Sequence, residues 1–178
     1  KEQTGEGQFV DVSAQQTVTW FLSNAIPFWV LDGRIVRRSG SMRTGVMTST
    51  VLQQLWPCED GFVAFMLMGG VIGVKSNRAL LGWMKQEGMV GEHLGTVSWE
   101  TFDPTVAGQN AVEMIQDNIG KFFLSHTKEE LYAGAIKRGV TLYPLSNFGE
   151  ILENPQLNAR NYWRDLEHPD LGTSLRYP

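Results

Sequence analysis

Cysteine is almost absent, since Cys58 is the only one among 178 residues. No disulfide can form within one chain, and a lone thiol following Pro57 in an expected strand reads as a buried, inert group of a protein kept in a reducing compartment, the cytoplasm. Spaced metal ligands are missing too. There is no H-E-x-x-H and no paired C-x-x-C, and His93, His126 and His168 lie far apart, so no metal site is expected. Long apolar runs are lacking. The most apolar window, residues 18–31, is interrupted by Ser23, Asn24 and Pro27 and falls short of the roughly 20 residues a spanning helix needs. No signal peptide is recognisable. Neither sign of charge dominates: 15 basic and 19 acidic residues are mixed along the chain, for a formal net charge of -4, which argues against nucleic acid as a partner.

Several catalytic signatures are missing as well. No G-x-S-x-G elbow marks a serine hydrolase. The run Gly70-Val71-Ile72-Gly73-Val74-Lys75-Ser76 fails as a phosphate loop, because Val74 stands where glycine must precede the lysine. His168-Pro169-Asp170 spells a co-chaperone tripeptide, but the helical hairpin that would present it is absent. Asp11 precedes a helix start, where the helix dipole favours a carboxylate.

What is present suits one ordinary domain, or a small domain with arms, and six Trp and nine Phe supply core area. Ser13-x-x-Gln16 followed by Val18, Phe21, Leu22, Ala25 and Ile26 predicts one long helix over residues 13–31, ended or kinked by Pro27. Residues 34–50, rich in Arg, Ser, Gly and Thr, read as a linker. Residues 55–58 and 62–67 flank Glu59-Asp60-Gly61 and predict a hairpin. Gly69, Gly70 and Gly73 break the pattern before a helix over residues 77–87, stopped by Gly88. Asp103-Pro104 predicts the start of a helix carrying Val112, Ile115 and Ile119 toward Phe122 and Phe123. Thr127-x-x-Glu130 forms a capping box for a helix with Leu131, Ala135 and Ile136 on one face and Gly139 as its stop. A strand over residues 140–145, a short helix over 148–152, another from Pro155 and a strand near 162–166 complete the chain. The mixture predicts α+β or α/β architecture.

Beyond these physical signals, ordered motifs cover almost the whole chain. They are Thr4-Gly5-x-Gly7-Gln8-x-Val10-Asp11-Val12-Ser13, Pro57-Cys58-x-Asp60-Gly61-Phe62-Val63, Thr127-x-x-Glu130-Leu131, Arg138-Gly139-Val140, Asn154-Pro155-Gln156-Leu157-x-Ala159-Arg160 and Glu167-His168-Pro169-x-Leu171-Gly172. Together they resemble the family III CoA-transferases, which include formyl-CoA transferase, carnitine CoA-transferase and α-methylacyl-CoA racemase. The resemblance implies an α/β protein in which both chain ends build a Rossmann-like large domain, the middle builds a small domain, and two subunits interlock. On that pattern residues 1–50 are the connecting helix and linker, 51–153 a small domain with a short antiparallel sheet and flanking helices, and 154–178 a strand returning toward the large domain. If the first helix packs on that domain, Val18, Phe21 and Leu22 are expected to lie exposed in this chain.

The resemblance also implies chemistry. Transferases of the family use an Asp that takes the acyl group from a CoA thioester as a mixed anhydride, which divides one acyl transfer into easier steps. That Asp lies shortly before the T-G-x-G-Q motif, so it is expected upstream of Lys1, and this chain by itself is expected to be inactive. The implied substrates are an acyl-CoA and a carboxylic acid, with no tightly bound cofactor. Gly69, Gly70 and Gly73 are similar in place to a glycine-rich substrate loop that follows the small-domain hairpin in formyl-CoA transferase, although the uninterrupted glycine run is not reproduced. Trp83-Met84 and Glu87-Gly88-Met89 are similar to the branch acting on aryl- or alkyl-succinates and carnitine, and they select no substrate. Two alternatives stay open: a 2-methylacyl-CoA racemase, and a binding or assembly module without activity.

Overall fold

The computed structural model describes residues 5–7, 9–23, 25–44 and 50–178. Thr4, Gln8, Asn24 and the end of the expected linker lie outside them. The architecture is α+β, combining helices with small antiparallel sheets. At its centre is a sheet of order β3-β4-β5, formed by Leu55–Cys58 (β3), Gly61–Phe65 (β4) and Leu142–Pro144 (β5). Trp56 stands opposite Val63, and Ala64 opposite Tyr143. Alternation along the strands sends Trp56, Val63, Phe65 and Leu142 inward. Pro57, which has no N–H to give a ladder, is tolerated because β3 is an edge strand.

The helix Gln109–Leu124 (α5) covers this inner face with Val112, Ile115, Ile119, Phe122 and Phe123, all buried at helical spacing. Phe123 meets Trp56 and Phe65 edge-on, each at 5.6 Å between ring centroids. The Trp56 indole N–H donates to the carbonyl of Phe65 at 2.8 Å, so this fully buried ring leaves no donor unpaired. The sequence predicts that α5 begins at Asp103-Pro104, but it starts at Gln109. Asp103 instead closes a local turn by accepting the N–H and the hydroxyl of Thr105, and Gly108 at φ 83 cannot continue a right-handed helix.

The expected long first helix is two. Ala14–Phe21 (α1) is capped by Ser13, whose hydroxyl accepts the Gln16 N–H at 3.4 Å, and Ala25–Asp32 (α2) follows a break at Leu22 and Ser23. A continuous helix would need the missing N–H of Pro27 to reach the Ser23 carbonyl, and the ring would collide there. Breaking upstream leaves Pro27 in the first turn of α2, where an N–H has no helical partner to lose. Val18, Phe21 and Leu22 are 60%, 85% and 57% exposed, as expected of a helix pair without a covering layer in this chain.

The expected linker contains a strand. Met42–Thr44 (β1) pairs antiparallel with Val51–Gln53 (β2), placing Arg43 opposite Leu52. The β2 N–H groups of Val51 and Gln53 donate to the side-chain oxygens of Gln109 and Gln116 on α5, at 2.7 and 2.6 Å. Glutamines seven residues apart on one helix thus occupy donors that the sheet leaves free, a pairing no local pattern reveals.

Other elements follow the sequence closely. The helix Lys128–Arg138 (α6) has both bonds of the Thr127/Glu130 capping box and ends at Gly139 in the left-handed region. Leu131 and Ala135 are buried, but Ile136 is 66% exposed, one residue further round the helix than the inward stripe. Phe148–Leu152 (α7) carries a second capping box from Asn147, and Pro155–Ala159 (α8) is capped by Asn154. The strand expected near residues 162–166 is Arg164–His168 (β6), and it pairs with Thr173–Tyr177 (β7), which the sequence reading did not anticipate. No helix among the described residues is long and apolar enough to cross a membrane.

Candidate functional site

The three glycines singled out by sequence sit where β4 leads into the next helix. That helix runs Gly70–Gln86 (α3), beginning seven residues before its expected start. Glycine lowers helix propensity by about 1 kcal/mol, which is why the pattern reads as a break, yet packing holds the turn in place. A Cβ on Gly73 would stand 2.0 Å from the Met68 carbonyl oxygen, and one on Gly69 would stand 3.0 Å from the Phe102 carbonyl oxygen. Gly73 needs glycine for this close approach of backbone to backbone, whereas at Gly69 a Cβ would be tight enough to push its neighbour by a few tenths of an ångström. Asn77, nearly fully buried, braces the same loop by donating to the Met68 carbonyl at 2.9 Å. Thr141 N–H donates to Ser76 Oγ at 2.9 Å and ties α3 to the segment entering β5.

Gly70 is different. It is exposed, has φ 70, and a Cβ there would meet nothing within 4 Å. Val71 beside it is 91% exposed. The structure therefore brings the three residues into one turn, two of them serving packing and one facing open space at the positive end of a 17-residue helix.

A charged node lies at the other end of the sheet. Asp60, in the β3–β4 turn, accepts the Lys128 N–H at 2.7 Å and so caps α6, and the Lys128 ammonium pairs with Glu150 on α7. The N–H donated by Lys128 holds the Asp60 carboxyl below its usual range, and the Lys128 ammonium does the same for Glu150. Glu150 in turn raises Lys128. Burial pushes the Cys58 thiol up, away from the thiolate form that a nucleophile uses. The carboxylates, with ordinary values of 3.8 and 4.5, stabilise the fold fully above those values, and that contribution is lost as pH falls through the lowered folded values. Lys128 works in the opposite sense: its share is complete below 10.5 and lost as pH rises through its raised value. Urea unfolding across acid pH should show a smaller acid-side loss in Asp60→Asn/Glu150→Gln than in the unaltered protein. An unchanged acid slope would remove the node from the stability of the fold.

The histidines serve separate local structures. His126 pairs with Glu87 at 2.9 Å, and its other ring nitrogen stands 2.8 Å from the Phe122 carbonyl. His168 meets the Tyr177 hydroxyl at 3.2 Å, and His93 is exposed on a short helix, Glu92–Gly95 (α4). Trp83 and Glu87 bond to each other, with Arg138 stacked 4.4 Å over the Trp83 ring. No group of three or more His, Cys, Asp or Glu among the described residues could hold a metal ion.

The sequence reading missed one arrangement. Lys75, Arg78 and Lys85 share α3, which has no acidic residue. The signal was present as a run without Asp or Glu, but an expected start at residue 77 left Lys75 outside the helix.

The fold has a solved counterpart: a CAIB/BAIF family protein from Brucella suis superposes with a TM-score of 0.55 at 20% identity, covering 92% of this chain and 39% of that one. That likeness defines the fold class. The sequence matches the CoA-transferase family III model across residues 1–178, and the chain belongs to that family. It is 29% identical over 188 residues to the succinyl-CoA:(R)-benzylsuccinate CoA-transferase subunit BbsE of Thauera aromatica, covering 99% of this chain and 41% of that protein. It is 25% identical over 177 residues to succinyl-CoA--D-citramalate CoA-transferase of Chloroflexus aurantiacus, covering 97% of this chain and 39% of the relative. The chain thus spans about two fifths of the length of the curated relatives it matches.

Proposed function

We propose that the protein carrying this chain moves CoA between carboxylic acids, with an acyl-CoA as donor and a free acid as acceptor. The observation that carries this reading is the family match over residues 1–178, together with two relatives both named as CoA-transferases that use succinyl-CoA. In the proposed mechanism an aspartate preceding Thr4 attacks the thioester carbonyl. The C–S bond breaks, CoA leaves as the thiolate, and a mixed anhydride forms on the aspartate. This chain then contributes the small domain over residues 51–153, joined to a large domain through residues 1–50 and 154–178, in an interlocked pair of subunits kept in the cytoplasm. The Gly69, Gly70 and Gly73 turn lies on the substrate side. Its support is the open space at Gly70 and the start of α3, which has no side-chain cap at Gly69 and whose dipole favours a negatively charged or polarised oxygen. The exposed apolar faces of α1 and α2, with a groove of about 680 Å³ bounded by Trp20, Ile26 and Pro27, support a covering layer supplied by the large domain.

The full-length protein tests the reading. Incubation with succinyl-CoA and without acceptor should leave an acyl group on one aspartate, released by hydroxylamine and located by peptide mass. Replacing that residue with alanine should abolish transfer. Solvent deuterium entering the α-carbon of a 2-methylacyl-CoA, with no acyl-enzyme, would establish the racemase instead.

A further inference from the structure

Arg78, Gly82 and Lys85 are spaced to share one side of α3, and with Leu81 they wall a groove of about 270 Å³. Val97, Trp99 and Glu100, following α4, form the opposite wall. Gly82 is unexpected there. Glycine is a poor residue for a helix interior, and a Cβ at Gly82 would meet nothing within 4 Å, so no packing contact requires it. What its missing side chain does is keep the groove open.

The charges in the groove are available. Lys85 has no ion-pair partner among the described residues. Arg78 pairs with Glu100 at 2.9 Å, but their side chains are 63% and 54% exposed, and an ion pair so wet is weak enough for a competing anion to displace. Trp99 is 4% exposed, and its indole N–H is buried without an acceptor. Trp99 lines the groove, so its indole reports on whatever enters there.

The geometry points to a binding site for a small oxyanion, the carboxylate of a short organic acid or a phosphate. Arg78 and Lys85 supply the charge, and Leu81 and Val97 supply apolar contact for a short carbon skeleton. The groove, about 270 Å³, lies just below the roughly 300–1,000 Å³ typical of ligand pockets, which suits a small anion. This site depends on neither the Gly69–Gly73 turn nor thioester chemistry.

Titration of the full-length protein, labelled with ¹⁵N in tryptophan, tests it with succinate and with inorganic phosphate against chloride at matched ionic strength. The indole signal of Trp99, identified by its loss in Trp99→Phe, should shift saturably with at least one probe. Affinity should fall about tenfold or more in Arg78→Gln/Lys85→Gln, and Gly82→Leu should block binding by filling the groove. A response to succinate alone assigns an organic acid, and a response to phosphate alone assigns a phosphate. No saturable shift with either probe, an equal shift with chloride, or undiminished binding in the double variant would overturn the site.

Discussion

Gly73→Ala is expected to cost at least about 3 kcal/mol, because the new Cβ would stand 2.0 Å from the Met68 carbonyl oxygen and 2.4 Å from its carbon. Neither side can yield cheaply. The Met68 carbonyl is held by the Asn77 amide one turn further along α3, and Gly73 is fixed in the first turn of that helix. Relief would require the loop after β4 to part from the helix, taking with it the bond from Asn77 to Met68. Gly70→Ala is the control, since its Cβ meets nothing and the loss is the left-handed strain alone, about 1–2 kcal/mol. Urea unfolding of both variants decides the matter. Equal, small losses would mean that the turn is looser than this close approach requires.

The second large effect concerns Phe122. It is fully buried, with ring centroids 5.1 Å from Trp83, 6.1 Å from Phe123 and 4.5 Å from His126. Phe122→Ala should cost about 3–5 kcal/mol, the sum of lost apolar burial and an unfilled cavity. The neighbours cannot collapse into the space: Arg138 caps the Trp83 ring, and a Cβ on Gly134 would already stand 2.1 Å from that ring. Against a total stability of about 5–15 kcal/mol, such a loss leaves a marginal fold. Phe148→Ala, at a side chain 90% exposed, should change stability by less than about 0.5 kcal/mol. Similar losses for the two would place the core elsewhere.

The candidate site divides along the same line. That Gly69, Gly70 and Gly73 are special was legible, because glycine is the residue that permits unusual backbone geometry and close approach. Why each is glycine was not. The partners of Gly69 and Gly73 are the carbonyls of Phe102 and Met68, and the first lies more than 30 residues away in sequence. The groove along α3 was hidden for a related reason, since its second wall comes from residues 97–100 and its openness depends on what does not contact Gly82.

The sequence by itself determined the elements whose causes are local. Asp60-Gly61 set the hairpin turn, Thr127 with Glu130 closed its capping box, and ordered motifs along the chain carried the family. In each case the interacting groups lie within a few residues, so a short pattern contains both partners. Only the tertiary structure decided that α3 begins at Gly70, that Met42–Thr44 is a strand and that Ile136 faces solvent. The first two outcomes turn on contacts outside the short local pattern, such as the Asn77 brace on Met68 and the α5 glutamines on β2, and the third on where α6 meets the core. Such contacts outweigh local propensities of about 1 kcal/mol or less per residue.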